Sequence, residues 1–211
     1  AAITCVKPSG TVSQLVDSAS GIHARHSPYY IRTVRGDNKD PLTQFMTDQG
    51  IPSEPCVMKP DQTTVFSFPQ KSPEGAIVTE DMTAIEQLET WLIYQRHWCE
   101  HKPSVTINVR KDEWFEVGAF VYKHFDEMSG VSFLPYNEHT YQQAPYQEVN
   151  KTKPTYDVDG NISMHSYESL FEKMPKSIDW SKLSDYEKED NTAAMQTMAC
   201  TGDVCEIVDL T

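Results

Sequence analysis

An α/β fold is what this sequence predicts, on three observations. Between residues 63 and 136 the chain alternates strand, helix, strand, helix, strand; strands separated by helical spans pair in parallel through crossovers, which makes an α/β layer or barrel. The 211 residues, 38% of them hydrophobic, suffice for one full domain with a sizeable core or for part of a larger one. No run of 18 or more apolar residues breaks the pattern, so no transmembrane helix is expected.

Residues 1–7 read as a strand (Ile3, Thr4, Cys5, Val6), and Pro8-Ser9-Gly10-Thr11-Val12-Ser13 as a turn entering a helix. The chain opens at Ala1 inside that strand, with no basic-then-apolar leader, which predicts a fragment whose N-terminal part is missing and no secretory signal. Residues 18–38 are loop-like, with a strand at Tyr30–Val34. In "DPLTQFMTDQG", Asp40 suits an N-cap, Pro41 the first helical turn and Gly50 the position past the end; Leu42, Phe45 and Met46 supply one apolar face. "TTVFSFP" (63–69) is a strand stopped by proline, 80–98 a helix ended before Pro103, and "SVTINV" (104–109) a buried type of strand. Residues 112–128 form a second amphipathic helix, stopped by Ser129-Gly130, before the strand "VSFLPY" (131–136). "TYDVDGNISMH" (155–165) is a hairpin about Asp159-Gly160. Residues 181–199 are polar and acidic and read as a flexible linker to the end "CTGDVCEIVDLT".

A net charge of −13 argues against a nucleic-acid or anionic-membrane partner. The first 39 residues run the other way: Lys7, Arg25, Arg32, Arg35 and Lys39 stand against Asp17 and Asp37, a local charge of +3. That field beside a Ser/Gly/Thr turn suits a small anion. Five cysteines, an odd number and widely spaced, are no secreted disulfide framework, so a reducing cytoplasm is expected. Cys5, Cys56 and Cys99 read as small core residues.

Two constellations carry candidate chemistry. A strand ending in Gly and hydroxyl residues before a helix turns backbone N–H groups outward and makes an anion cradle; no Gly-Lys-Ser/Thr follows Ser13, so it is not a Walker A loop, and an ordinary strand–helix turn is the alternative. The second is Cys200 with Cys205, behind a linker of about 20 residues whose r.m.s. reach is about 25 Å. Such a pair can close a small disulfide ring or exchange with another disulfide, although Asp203 and Glu206 disfavour the thiolate; an inert tail is the alternative. No metal site is expected. Two thiols alone are a poor zinc site, His97, Cys99 and His101 fit a helix end, and "DVDGN" (157–161) has glycine at the fourth position of a would-be calcium loop where the sixth is needed.

Taken together, "CVKPSGTVSQL", "GIHARHSPYYIRTVR", "HKPSVTINV", "VSFLPY" and the terminal Cys-x4-Cys resemble the C-terminal part of a ribonucleotide reductase, and most closely the monomeric, adenosylcobalamin-dependent ribonucleoside-triphosphate type. The resemblance implies that residues 1–180 are the later part of a ten-stranded α/β barrel and 181–211 a linker and redox tail. It implies that Ser9, Gly10, Thr11, Val12 and Ser13 bind the substrate's phosphates. It implies that Cys200 and Cys205 re-reduce an active-site disulfide and are regenerated by a thioredoxin-type donor. The implied reaction makes 2′-deoxyribonucleotides for DNA by a cobalamin-initiated thiyl radical, with an allosteric deoxynucleotide acting on the full enzyme. The Asn-Pro-Cys-x-Glu loop that holds the thiyl cysteine is absent, so that cysteine belongs upstream, and this polypeptide is expected to be inactive alone. The alternatives are an iron-dependent large subunit, whose phosphate loop is of Pro-Thr-Ala-Ser type, a cobalamin enzyme acting on diphosphates, a small thiol–disulfide carrier, or a nucleotide-binding regulatory module with an inert tail.

Overall fold

The computed structural model describes residues 2–10, 12–136, 142–153, 155–156, 162–163, 166–188, 199–201 and 204–206. In chain order its elements are α1 (Val12–Leu15), β1 (Tyr29–Asp37), α2 (Pro41–Asp48), β2 (Ser53–Pro55), β3 (Thr63–Lys71), α3 (Ala84–His97), β4 (Thr106–Val109), α4 (Trp114–Lys123), β5 (Ser132–Pro135), β6 (Tyr146–Glu148), β7 (Thr155–Tyr156), β8 (Ile162–Ser163), α5 (Tyr167–Lys173), α6 (Leu183–Tyr186), β9 (Ala199–Thr201) and β10 (Val204–Glu206). They group into two units, Ala1–Pro28 with Ser72–Glu138, and Tyr29–Lys71 with His139–Thr211. Among the described residues no helix is long and apolar enough to cross a membrane.

The first unit is built on a βαβ crossover. β4 and β5 pair in parallel, Thr106 opposite Ser132 through Val109 opposite Pro135, and α4 makes the connection that parallel pairing requires. α3 starts at a capping box: Thr83 Oγ1 accepts from Glu86 N–H at 3.2 Å, and Glu86 Oε2 accepts from Thr83 N–H at 2.8 Å. Ala84 and Leu88 of α3 and Val117 of α4 bury against Ile107 and Val109 of β4. Trp91 is fully buried, and its indole N–H donates to Pro103 O at 2.9 Å. α4 is apolar on its outward side as well, where Phe115 and Tyr122 are 92% and 88% exposed.

At the end of this unit Arg96 donates from Nε and Nη2 to the two Glu127 carboxylate oxygens, at 2.5 and 2.6 Å, and His124 Nδ1 lies 3.1 Å from Oε1. Arg96 first, then His124, hold the Glu127 carboxyl down to about 2. A depressed carboxylate contributes stability above its unfolded pKa, here near 4.5, and loses it as pH falls through the folded value. Glu127→Gln should therefore flatten the acid limb of a Tm-against-pH curve between about 4.5 and 2. Parallel wild-type and variant curves across that window would show that the clasp contributes nothing.

The second unit is a four-stranded sheet in the order β2-β3-β1-β6, antiparallel throughout. β1 and β3 run opposite each other over nine residues, Tyr29–Lys71 to Asp37–Thr63. This corrects the expected alternation: β3 is no parallel neighbour of β4, and the parallel pattern holds for β4 and β5 alone. Pro69 does not stop β3. Ser67 N–H points to the β2 side, donating to Pro52 O at 2.9 Å, and Pro69, two residues on, faces the same side where β2 has already ended. Its missing N–H therefore costs no ladder bond. Asp40 caps α2 as expected, accepting from Leu42 N–H at 2.9 Å, and Gly50 is left-handed at φ 78°.

Residues 180–186, expected in part as flexible linker, are a 3-10 turn and α6 packed on α2. Phe45 contacts the rings of Trp180 and Tyr186 at 5.4 and 5.5 Å, and Tyr186 Oη donates to Asp48 Oδ2 at 3.0 Å. The hairpin expected at 155–165 pairs as β7 with β8, Thr155 opposite Ser163 and Tyr156 opposite Ile162; its Asp159-Gly160 turn lies outside the described residues.

Candidate functional site

The chain approaches its candidate anion turn in extended form, without forming the expected strand ladder. Thr4 O accepts from His101 N–H at 3.1 Å and Val6 O from Ser104 N–H at 2.9 Å, and Glu100 Oε2 accepts from Ile3 N–H at 2.6 Å. Cys5 points outward and is exposed, not a core residue; Cys56 and Cys99 are buried. Pro8 leads into the turn, and α1 follows at Val12.

Within the turn the residues divide by role. Gly10 is exposed, and a Cβ built on it meets nothing within 4 Å. Val12 is 66% exposed. Ser9 O accepts from both the N–H and the hydroxyl of Ser13, so the buried Ser13 hydroxyl closes the turn on itself. Thr11 lies outside the described residues. The open point of the turn is therefore Gly10, with Lys7 exposed just before.

The basic field expected around the turn is largely spent. Arg25 is only 6% exposed, and its Nη2 donates to the backbone oxygen of Asp17 and, at 2.6 Å, to Asp17 Oδ1. That pair straps the end of the α1 loop, with Asp17 at φ 50°. Arg32 and Arg35 belong to the second unit. Arg32 stacks over Tyr146 at 4.5 Å and donates to Pro145 O, and Arg35 Nη2 donates to Gln143 O at 2.9 Å. Gln143, at φ 56°, also takes Val57 N–H on Oε1 and gives its amide hydrogens to Glu54 Oε1 and Pro55 O. Sequence reasoning missed this network, because nothing in a lone Gln marks it as a junction. Cys56 lies in the same loop. Burial alone would raise its thiol, but the N–H groups of Lys59 and Met58 and the Arg35 charge outweigh it and hold it below the usual value.

Of the tail, the backbone pairing is described. β9 and β10 are antiparallel, with Cys200 opposite Cys205, Thr201 opposite Val204 and Ala199 opposite Glu206. The structure thus brings the two tail cysteines into register with each other. Among the described residues no three His, Cys, Asp or Glu side chains are grouped as a metal site would group them.

Comparison with known proteins bears on the chain as a whole. The adenosylcobalamin-dependent ribonucleoside-triphosphate reductase of Euglena gracilis is 30% identical over 182 residues, 83% of this chain and 25% of its own length. The enzyme of the same name from Lactobacillus gasseri is 29% identical over 90% of this chain and 26% of its own. By descent the chain is a relative of these reductases. A crystal structure of a B12-dependent (class II) ribonucleotide reductase shares the fold, with a TM-score of 0.66 at 24% identity over 87% of this chain and 24% of that one. No protein-family profile matches. The chain spans about a quarter of the length of the relatives it matches.

Proposed function

We propose that this chain is the C-terminal part of the catalytic barrel of an adenosylcobalamin-dependent reductase that converts ribonucleoside triphosphates to 2′-deoxyribonucleotides. The observation that carries the reading is the 30% identity, across 83% of the chain, with a reductase of that name. The outward side of α4 supports it, since Phe115 and Tyr122, one above the other on that helix, are 92% and 88% exposed, an apolar patch that a larger protein would cover.

In this reading the Ser9–Ser13 turn holds the substrate's phosphates. Gly10 lets a phosphate oxygen approach the backbone, Ser13 fixes the turn's shape from within, and Lys7 supplies the nearby charge. Cys200 and Cys205 form the tail couple. Their two thiols give two electrons and two protons to an active-site disulfide, become a disulfide themselves, and are restored by the dithiol of a thioredoxin-type protein.

Adenosylcobalamin, when bound, supplies the radical that starts the reaction. No group of metal-ligating side chains stands among the described residues, and a corrin that brings its own cobalt asks for none, so no residue of this chain is assigned to it.

The test is binding of sodium tripolyphosphate to the chain by calorimetry, with Gly10→Asp as the variant. The space over Gly10 is open, so the aspartate folds in place, and its charge should weaken binding at least about tenfold with an unchanged Tm. Equal affinity in both proteins would remove the turn from the phosphate site. The thiol–disulfide carrier reading shares the tail but predicts no polyphosphate binding at all.

A further inference from the structure

Along β4, residues 105, 107 and 109 turn their backbone groups to β5, as shown by Ser132 N–H on Val105 O and Tyr136 N–H on Val109 O. Thr106 and Asn108 therefore face the other edge. No strand of the chain pairs there among the described residues, yet neither amide is left bare. Gln87 Oε1 accepts from Asn108 N–H at 3.1 Å, and His23 Nε2 accepts from Thr106 N–H at 3.0 Å. Upstream on the same side, residues 4 and 6 take the His101 and Ser104 amides. The partner sequence along this edge is thus Thr4, Val6, then His23. The imidazole takes over where the chain turns away at Pro8.

The ring's protonation follows from its two contacts. Nε2 faces an N–H donor and must present its lone pair; Nδ1, 2.7 Å from Ser20 O, must then carry the hydrogen. His23 is a neutral Nδ1–H tautomer that ties β4 on one side to the Ser20–His23 loop on the other. That loop lies against the turn's entry: Gly21 is left-handed at φ 58°, and a Cβ there would sit 2.8 Å from Lys7 O. We propose that His23 is a positioning residue for the Pro8–Ser13 turn, accepting the Thr106 amide at the edge the chain vacates and holding the Ser20–His23 loop against Lys7. The inference rests on the reading of that turn as the phosphate site.

Two variants of the 211-residue chain test it. His23→Ala removes the acceptor, whereas His23→Gln keeps a neutral acceptor at similar reach. Amide hydrogen exchange is followed at Thr106 and at the two bonded amides of the turn, Ser13 on Ser9 O and Ser18 on Ser13 O, and tripolyphosphate affinity by calorimetry. His23→Ala should speed exchange at all three amides and raise Kd about tenfold, the worth of one hydrogen bond; His23→Gln should restore both to within about threefold of wild type. Faster exchange at Thr106 alone, with turn amides and Kd unchanged, would overturn the proposal and leave His23 a strand-edge cap. Should His23→Ala not fold, His23→Gln decides: turn amides as slow as in wild type support the proposal, and fast ones beside a protected Thr106 overturn it. Wild-type chain that binds no tripolyphosphate, with the turn still loosened in His23→Ala, would sink the phosphate reading and leave the positioning role standing.

Discussion

Replacing Cys200 or Cys205 by serine should lower thioredoxin-driven multiple turnover of a full-length reductase carrying this segment to below about 1% of wild type, because a lone thiol can attack a disulfide but cannot release the mixed disulfide it forms. A small dithiol that enters the site directly should rescue part of that loss, since the barrel's own chemistry would be untouched. The structural basis is the β9–β10 register, which sets Cys200 opposite Cys205. The pair is therefore held as a couple before any partner arrives, and closing its ring needs no search through chain conformations. The chain itself offers a direct check. In a Cys5→Ser background, which removes the exposed third thiol, mild oxidation should join these two cysteines, with Cys56 and Cys99 buried and slow to react, and thioredoxin should reverse the bond. Equal thioredoxin-driven rates for the serine variants and wild type would end the shuttle role.

What was legible in the sequence was local. The βαβ unit from 104 to 136 showed itself because a buried strand, an amphipathic helix and a second strand each carry their own period, and a short crossover leaves few topologies open. The α2 caps were legible for the same reason: Asp40, Pro41 and Gly50 act within one turn of where they stand. The long-range partners were not. β3 looked like the next parallel strand because order along the chain was read as order in space, while its partners, β2 and, across α2 and β2 in the chain, β1, are both antiparallel. Charge misled in the same way. Arg25, Arg32 and Arg35 sit near the turn in sequence, but Arg25 is consumed by Asp17 and the other two serve a different unit. Among the described residues the turn keeps its backbone, the Ser13 hydroxyl, the exposed Lys7 and, through Gly21, the His23 loop. His23 was passed over because its part depends on an amide 83 residues away, for which a single sequence holds no signal.

Trp91→Ala should cost about 3–5 kcal/mol of folding free energy, a large part of the 5–15 kcal/mol on which a domain usually stands. The side chain is fully buried, so its removal leaves a cavity that α3, held by its capping box, cannot close. The loss should reach the candidate site as well as the core. The indole N–H donates to Pro103 O, and Pro103 sits between His101 and Ser104, the two residues whose amides hold Thr4 and Val6. One hydrogen bond from the core thus fixes the rail along which the chain runs to the phosphate turn. Trp91→Phe separates the two effects. It keeps most of the ring but leaves the Pro103 carbonyl unpaired, at a cost of about 1–3 kcal/mol. Urea unfolding should rank the proteins wild type, Phe, Ala, and exchange at the His101 and Ser104 amides should already be faster in the Phe variant. If Trp91→Phe unfolds at the wild-type midpoint with those amides still protected, the indole is core filling only, and the approach to the turn is held by Glu100, the Thr4 hydroxyl on Trp98 O and the backbone bonds.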